Sequence, residues 1–242
     1  MQFRLQRPCS WFVALLLLGM GVRPSPASEI AWIWPSSDAA PGHFDEVAVL
    51  VESLVFRGDT VERTPRSRPL VMPAHARLVP VVHIESRLDA ADTFSPAQTT
   101  AVLTAFQTHA REATAGLIQL DFEAPARQRP ALLDLVRALR KTLPAKTRLS
   151  VTVLVSWCAQ GDWLDELRAD EIVPMLYRLG PDSARWFERF SSKRSSLSSR
   201  CLGPALGASV QDPPDAGTLA RASRLYWFNE RNWSRSSRPG TP

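Results

Sequence analysis

Eight short apolar runs, most of them separated by helical or turn-forming stretches, confine this chain to a parallel sheet joined by crossovers. The runs are Ile30–Trp34, a segment within Glu46–Phe56, Arg77–Glu85, Gly116–Phe122, Leu149–Ser156, Glu171–Tyr177, Ala205–Val210 and Arg224–Asn229. Ser95-Pro96-Ala97-Gln98 offers an N-cap, a proline at the first helical position and a capping-box glutamine, which predicts a helix to about Glu112. Leu132, Leu133, Val136 and Leu139 recur at helical spacing and predict a second helix over about Pro130–Leu143. Shorter helices are expected over Trp163–Leu167, over Asp182–Phe190 and around Leu219. The first two strands are separated by too little chain for a crossover helix, and residues 57–76, rich in Arg and Pro, read as a loop. The expected fold class is α/β: a small TIM-like (β/α)8 barrel with reduced helices in its first quarter. An open doubly wound sheet is the rival, but no Gly-rich phosphate loop recommends it.

The ends of the chain read as something other than fold. Arg4 and Arg7, the apolar stretch Trp11–Met20 and the small residues Ser25-Pro26-Ala27 form a secretory signal pattern, with cleavage expected near Ala27-Ser28. The apolar stretch is too short to span a membrane, and no second long one follows. The expected organisation is a signal peptide over residues 1–27, one barrel domain over 28–233, and a disordered tail over 234–242. The mature protein would then be exported, to the periplasm or beyond, with no membrane span. Loss of Arg4, Arg7 and Arg23 lowers the formal charge from +5 to +2, so charge gives no reason to expect a nucleic-acid partner. Two cysteines remain after cleavage, Cys158 and Cys201. Cys158 follows one strand and Cys201 precedes the next but one. Such positions tend to lie at opposite ends of a barrel, beyond the roughly 7 Å Cα limit for a bridge, so two free thiols are expected and a disulfide is left open. His43, His75, His83 and His109 are scattered, and no Cys/His cluster has metal-ligand spacing, so neither metal nor cofactor is expected.

A barrel places its chemistry where the strands end. The strand Gly-Leu-Ile-Gln-Leu-Asp-Phe-Glu at 116–123 ends in two acids. Strand side chains alternate, so Asp121 and Glu123 share one face while Ile118, Leu120 and Phe122 share the other. Neighbouring buried acids raise each other's pKa, which suits one of them to proton donation. The other strand-end candidates are His83 and Glu85, Ser156 and Trp157, Tyr177 and Arg178, and Trp227, Asn229 and Glu230. Acids and amides bind hydroxyls and aromatic faces stack on sugar rings, so a carbohydrate is the expected partner. The plainer readings are ion pairing for Glu85 with Arg87, a satisfied core position for His83, and packing for Tyr177 and Trp227.

The order of an Asp-x-Glu strand, a Ser-x-Thr strand, Met175-Leu176-Tyr177 and a Trp-bearing last strand resembles glycoside hydrolase family 18, the chitinase-like barrels. Asp121 and Glu123 match the last two acids of that family's Asp-Gly-x-Asp-x-Asp-x-Glu signature; Gly116 and Gln119 stand where two others would be, and Arg178 where a further acid is expected. The resemblance implies Glu123 as general acid, Asp121 as the group that orients a substrate N-acetyl, and Tyr177 as a hydrogen-bond partner to it. The segments at 120–124, 149–158, 173–180, 206–209 and 225–229 together also resemble an exported bacterial family known as domain of unknown function 3142, which implies a related barrel without an established reaction. These readings combine as an exported, glycoside-hydrolase-like barrel acting on an amino-sugar-containing polysaccharide. Its catalytic residues would be Glu123, Asp121 and Tyr177, and its substrate-binding residues Glu85, Trp157, Arg178, Trp227 and Asn229. The alternatives are a non-catalytic carbohydrate-binding barrel and an envelope protein with a protein partner.

Overall fold

The computed structural model describes residues 27–88, 93–192, 196–231 and 233. The expected signal peptide, apart from its last residue, and the expected tail lie outside them. Among the described residues no helix is long and apolar enough to cross a membrane.

The strands are β1 (Ser28–Ile33), β2 (Glu46–Arg57), β3 (Thr60–Pro65), β4 (Arg77–Ser86), β5 (Leu117–Phe122), β6 (Arg148–Leu154), β7 (Glu171–Leu176), β8 (Ala205–Ser209) and β9 (Arg224–Phe228). The helices are α1 (Pro96–His109), α2 (Arg129–Thr142), α3 (Ser183–Ser191) and α4 (Ala216–Leu219). The sheet runs β1-β9-β8-β7-β6-β5-β4-β2, and β1 pairs with β2 to close it. All eight of these strands are parallel to their neighbours, so the fold is a small TIM-like barrel. Every expected barrel strand is present. Among the described residues the first helix is α1, which follows β4.

One expectation is corrected before α1. Part of the segment 57–76 is not loop but β3, which folds back antiparallel on β2 over Glu52–Arg57. The reason is length: β1 covers only Glu46–Val49 of β2. The far half of β2 would otherwise be an open edge, and β3 satisfies its backbone groups. A bulge between Leu50 and Glu52 reverses the alternation of β2. Leu50 packs inside the barrel, whereas Leu54 and Phe56 pack outside it. Glu52 therefore faces outward, held by Arg63 at 2.6 Å and by His109 of α1 at 3.0 Å.

Helix α1 begins as its sequence dictates. Gln98 N donates to Ser95 Oγ, and Ser95 N donates to Gln98 Oε1. Gln98 Nε2 also donates to Gly58 O at 2.7 Å, tying the cap to the β2–β3 turn. Helix α2 buries Leu132, Leu135, Val136 and Leu139 against the outer faces of the strands, where Ile118, Leu120 and Phe122 of β5 also pack.

Cys158 and Cys201 form a disulfide, with Cα atoms 5.8 Å apart. The expectation of opposite ends fails because the crossover after β6 is compressed into two tight 3-10 turns, Val155–Ala159 and Asp162–Glu166. The segment before β8 lies across this crossover: Ser198 N donates to Cys158 O at 2.8 Å, and Arg200 Nη2 donates to the carbonyls of Leu167 and Ala169.

The barrel interior has three levels. At the N-terminal end Arg224 bridges Glu46 at 2.9 Å and Glu171 at 2.7 Å, and the buried Tyr226 hydroxyl donates to Glu171. In the middle, Trp32 Nε1 donates to Gln119 Oε1, Gln119 Nε2 donates to Ser150 Oγ, and Ser150 Oγ donates to Glu171 Oε1. Phe228 stacks on Trp32 at 4.9 Å. It needs Gly207 on β8, because a Cβ there would lie 3.1 Å from its ring. The third level is the mouth.

Candidate active site at the barrel mouth

Asp121 lies at the C-terminal end of β5 and is buried. Its Oδ2 is 2.9 Å from Nδ1 of His83 on β4, and its Oδ1 accepts a 2.6 Å hydrogen bond from Thr152 on β6. Both carboxylate oxygens are thus occupied from the two adjacent strands. Glu123 follows two residues later and is open to solvent. The surrounding protein strips away part of its water, and Asp121 adds a like charge; together these hold its carboxyl above the usual range, although His83 and Arg178 pull the other way. For His83, burial opposes the charge on the ring, but the hydrogen bond and charge of Asp121, with help from Glu123 and Glu85, outweigh it and raise its pKa.

Glu123 lines a cleft of about 390 Å³ together with Trp34, Leu154, Val155, Ser156, Met175, Tyr177, Arg178, Leu179 and Trp186. Tyr177 stacks on Phe228 at 4.2 Å, so the aromatic column of the barrel interior continues into the cleft. Its hydroxyl donates to Met175 Sδ at 3.0 Å. Burial first, then the charges of Asp121 and Glu123, push its pKa well above the ordinary value, so it stays a neutral donor. Arg178 follows, with φ 55°, its Nε 3.5 Å from Glu230 Oε1 and its guanidinium 6.0 Å from the Trp34 ring centre.

The structure gathers Asp121, Glu123, Tyr177, Arg178 and Ser156 at one end of the barrel, with His83 beneath. Glu85 is also exposed, paired with Arg87 at 2.6 Å. Of the expected binding residues only Arg178 lines the cleft; Glu85, Trp157, Trp227 and Asn229 stand apart from it. Trp157 is buried in the outer shell, edge-on to Trp163 at 5.3 Å, because the chain leaves β6 and turns outward before reaching it. Trp227 is buried on the outer face of β9, since Tyr226 and Phe228 take the inward positions. Asn229 is engaged by its own loop and by the loop after β8, accepting from Arg231 N and from Gln211 Nε2 at 2.6 Å. In exchange the cleft contains Trp34 and Trp186. Thr152 also belongs to the site. Its signal was present, because Ser150 and Thr152 alternate with apolar residues on β6 and so mark an inward face. Trp186, on α3, carried no comparable signal. Among the described residues no group of three or more His, Cys, Asp or Glu side chains could hold a metal ion.

No family model matches the chain, and no curated protein matches it. Among solved structures, the crystal structure of the Bacillus cereus spore cortex-lytic enzyme SleL is similar, with 18% identity and a TM-score of 0.44. The match covers 81% of this chain and 57% of that one. This chain therefore spans a little over half the length of that enzyme.

Proposed function

We propose that the mouth is a glycoside-hydrolase site for an amino-sugar-containing polysaccharide, on a protein exported from the cytoplasm. The observation that carries the reading is Glu123: a solvent-reached acid with a raised pKa, in a cleft walled by Trp34, Tyr177 and Trp186. An acid whose pKa is raised holds its proton more firmly than a free carboxyl, which suits it to protonate a glycosidic oxygen as the bond breaks. Asp121 serves as a fixed negative charge. Its oxygens are tied to His83 and Thr152, so binding a substrate group directly would require it to break one of those bonds. What Asp121 supplies in place is electrostatic: it raises the pKa of Glu123 and favours positive charge developing on the sugar. Aromatic faces of the cleft stack on sugar rings. The disulfide suits an oxidising compartment and agrees with the leader-like N-terminus.

One observation favours the second reading, a carbohydrate-binding barrel without chemistry. The other acids near the mouth are engaged, Glu85 with Arg87 and Glu230 with Arg178, so a second free carboxylate to complete a two-acid mechanism is not in place. Reducing-sugar release from a panel of envelope and biofilm polysaccharides separates the two readings. For the hydrolase, Glu123→Gln should lose activity by about 100- to 10,000-fold with the fold intact. Undiminished activity in the variant would remove Glu123 from the mechanism. Binding without release by the parent protein would establish the second reading.

A further inference from the structure

Arg178 is held at a cost that its contacts within the protein do not explain. Its φ of 55° is the left-handed region, and among the described residues no other non-glycine adopts it. A side chain with a Cβ is strained there, whereas glycine is not. Strain of this kind persists where the surroundings impose it, and it concentrates at binding and catalytic positions. The side chain is 59% exposed. Among the described residues it donates no hydrogen bond; its one ionic contact is the 3.5 Å approach of Nε to Glu230, itself exposed. Its guanidinium carbon lies 6.0 Å from the centre of the Trp34 ring. Arg178 is also the one cation among the residues that line the cleft, where it faces Glu123.

We propose that Arg178 is the recognition point for a carboxylate on the substrate, so that the cleft takes an acidic sugar, a uronic acid or an amino sugar carrying an acid group. This rests on the carbohydrate reading of the cleft and narrows it. A guanidinium presents paired N–H donors that match a carboxylate. Glu230 occupies that position loosely through Nε, and the two terminal nitrogens are left for the ligand. An acid group docked on Arg178 also sets the sugar's direction in the cleft, because no other lining residue carries a positive charge.

The test is a binding titration of the full-length protein with hyaluronate, polygalacturonate and alginate oligomers, each beside its carboxyl-reduced form, at low salt. The expected result is that at least one acidic oligomer binds about tenfold more tightly than its reduced partner, and that added salt erodes the difference. Arg178→Gly should abolish that preference. The same variant should melt no lower than the parent, and about 2–4 °C higher if relief of strain is complete, because glycine adopts this backbone freely. Glu230→Gln should tighten the acidic oligomer by removing its competitor. Equal binding of acidic and reduced forms, binding of neither, or a preference that survives in Arg178→Gly would overturn the proposal. Its failure stays distinct from failure of the hydrolase reading, because Glu123-dependent release from neutral chitin oligosaccharides is measured separately.

Discussion

Asp121 organises the mouth. A buried carboxylate is costly unless both oxygens are satisfied, and here His83 and Thr152 do so from the strands on either side. The pairing also makes a statement about pH. His83 has its pKa raised in the folded protein, so its contribution to stability is fully present below the unfolded value of about 6.5 and is lost as pH rises through the folded value. Urea midpoints followed from about pH 6 to about pH 9 should therefore fall in the parent. In His83→Gln the dependence over that range should be flatter, because the titrating group is gone. An equally steep fall in the variant would assign the dependence to other groups.

At the scale of elements, the connections decide what the strands alone do not. The crossover after β6 is two short turns in place of a helix, and it is held to the segment before β8 by the Cys158–Cys201 bridge. The bridge spans 43 residues. In the chain-entropy account a loop of that size restricts the unfolded chain by about 4 kcal/mol, an upper figure in practice. Cys158→Ala/Cys201→Ala should lower the unfolding free energy by about 2–4 kcal/mol in urea titrations, with the far-ultraviolet spectrum unchanged at low denaturant. A double variant as stable as the parent would show that the crossover is held by its hydrogen bonds and apolar packing alone. The bulge in β2 acts on the same scale. It turns Glu52 outward to Arg63 and His109, and so keeps one more carboxylate out of the barrel.

For the whole molecule, the N-terminal level ties strands together across the barrel interior. Arg224 on β9 spans to Glu46 on β2 and Glu171 on β7, two buried carboxylates from strands that are not adjacent in sequence. Burial works against the guanidinium's charge, but Tyr226 first, then the charge of Glu171 and the hydrogen bond to Glu46, raise its pKa. Removing the arginine leaves Glu171 without a cationic partner, while Glu46 keeps Arg77. Arg224→Met should cost about 3–5 kcal/mol of unfolding free energy at neutral pH, with partial recovery when Glu46→Gln and Glu171→Gln are added. No loss in the single variant would mean that water takes over the arginine's role and that closure depends on the apolar layers.

The sequence by itself determined the eight barrel strands, the two faces of β5, the capped start of α1 and the pairing of Asp121 with Glu123 on one face. These follow from periodicity and from contacts only a few residues apart, which a single chain displays. It also showed that Tyr177 and Arg178 end a barrel strand. Tertiary structure alone decided that His83 and Thr152 occupy Asp121, that Trp34 and Trp186 wall the cleft while Trp157 and Trp227 are buried outside it, and that β3 covers the far half of β2. It alone brought Cys158 to Cys201. Each of these depends on how a connection leaves a strand or on register between strands distant in sequence. A backbone turn of one residue moves a side chain to the other face of the sheet, and no local pattern records that turn.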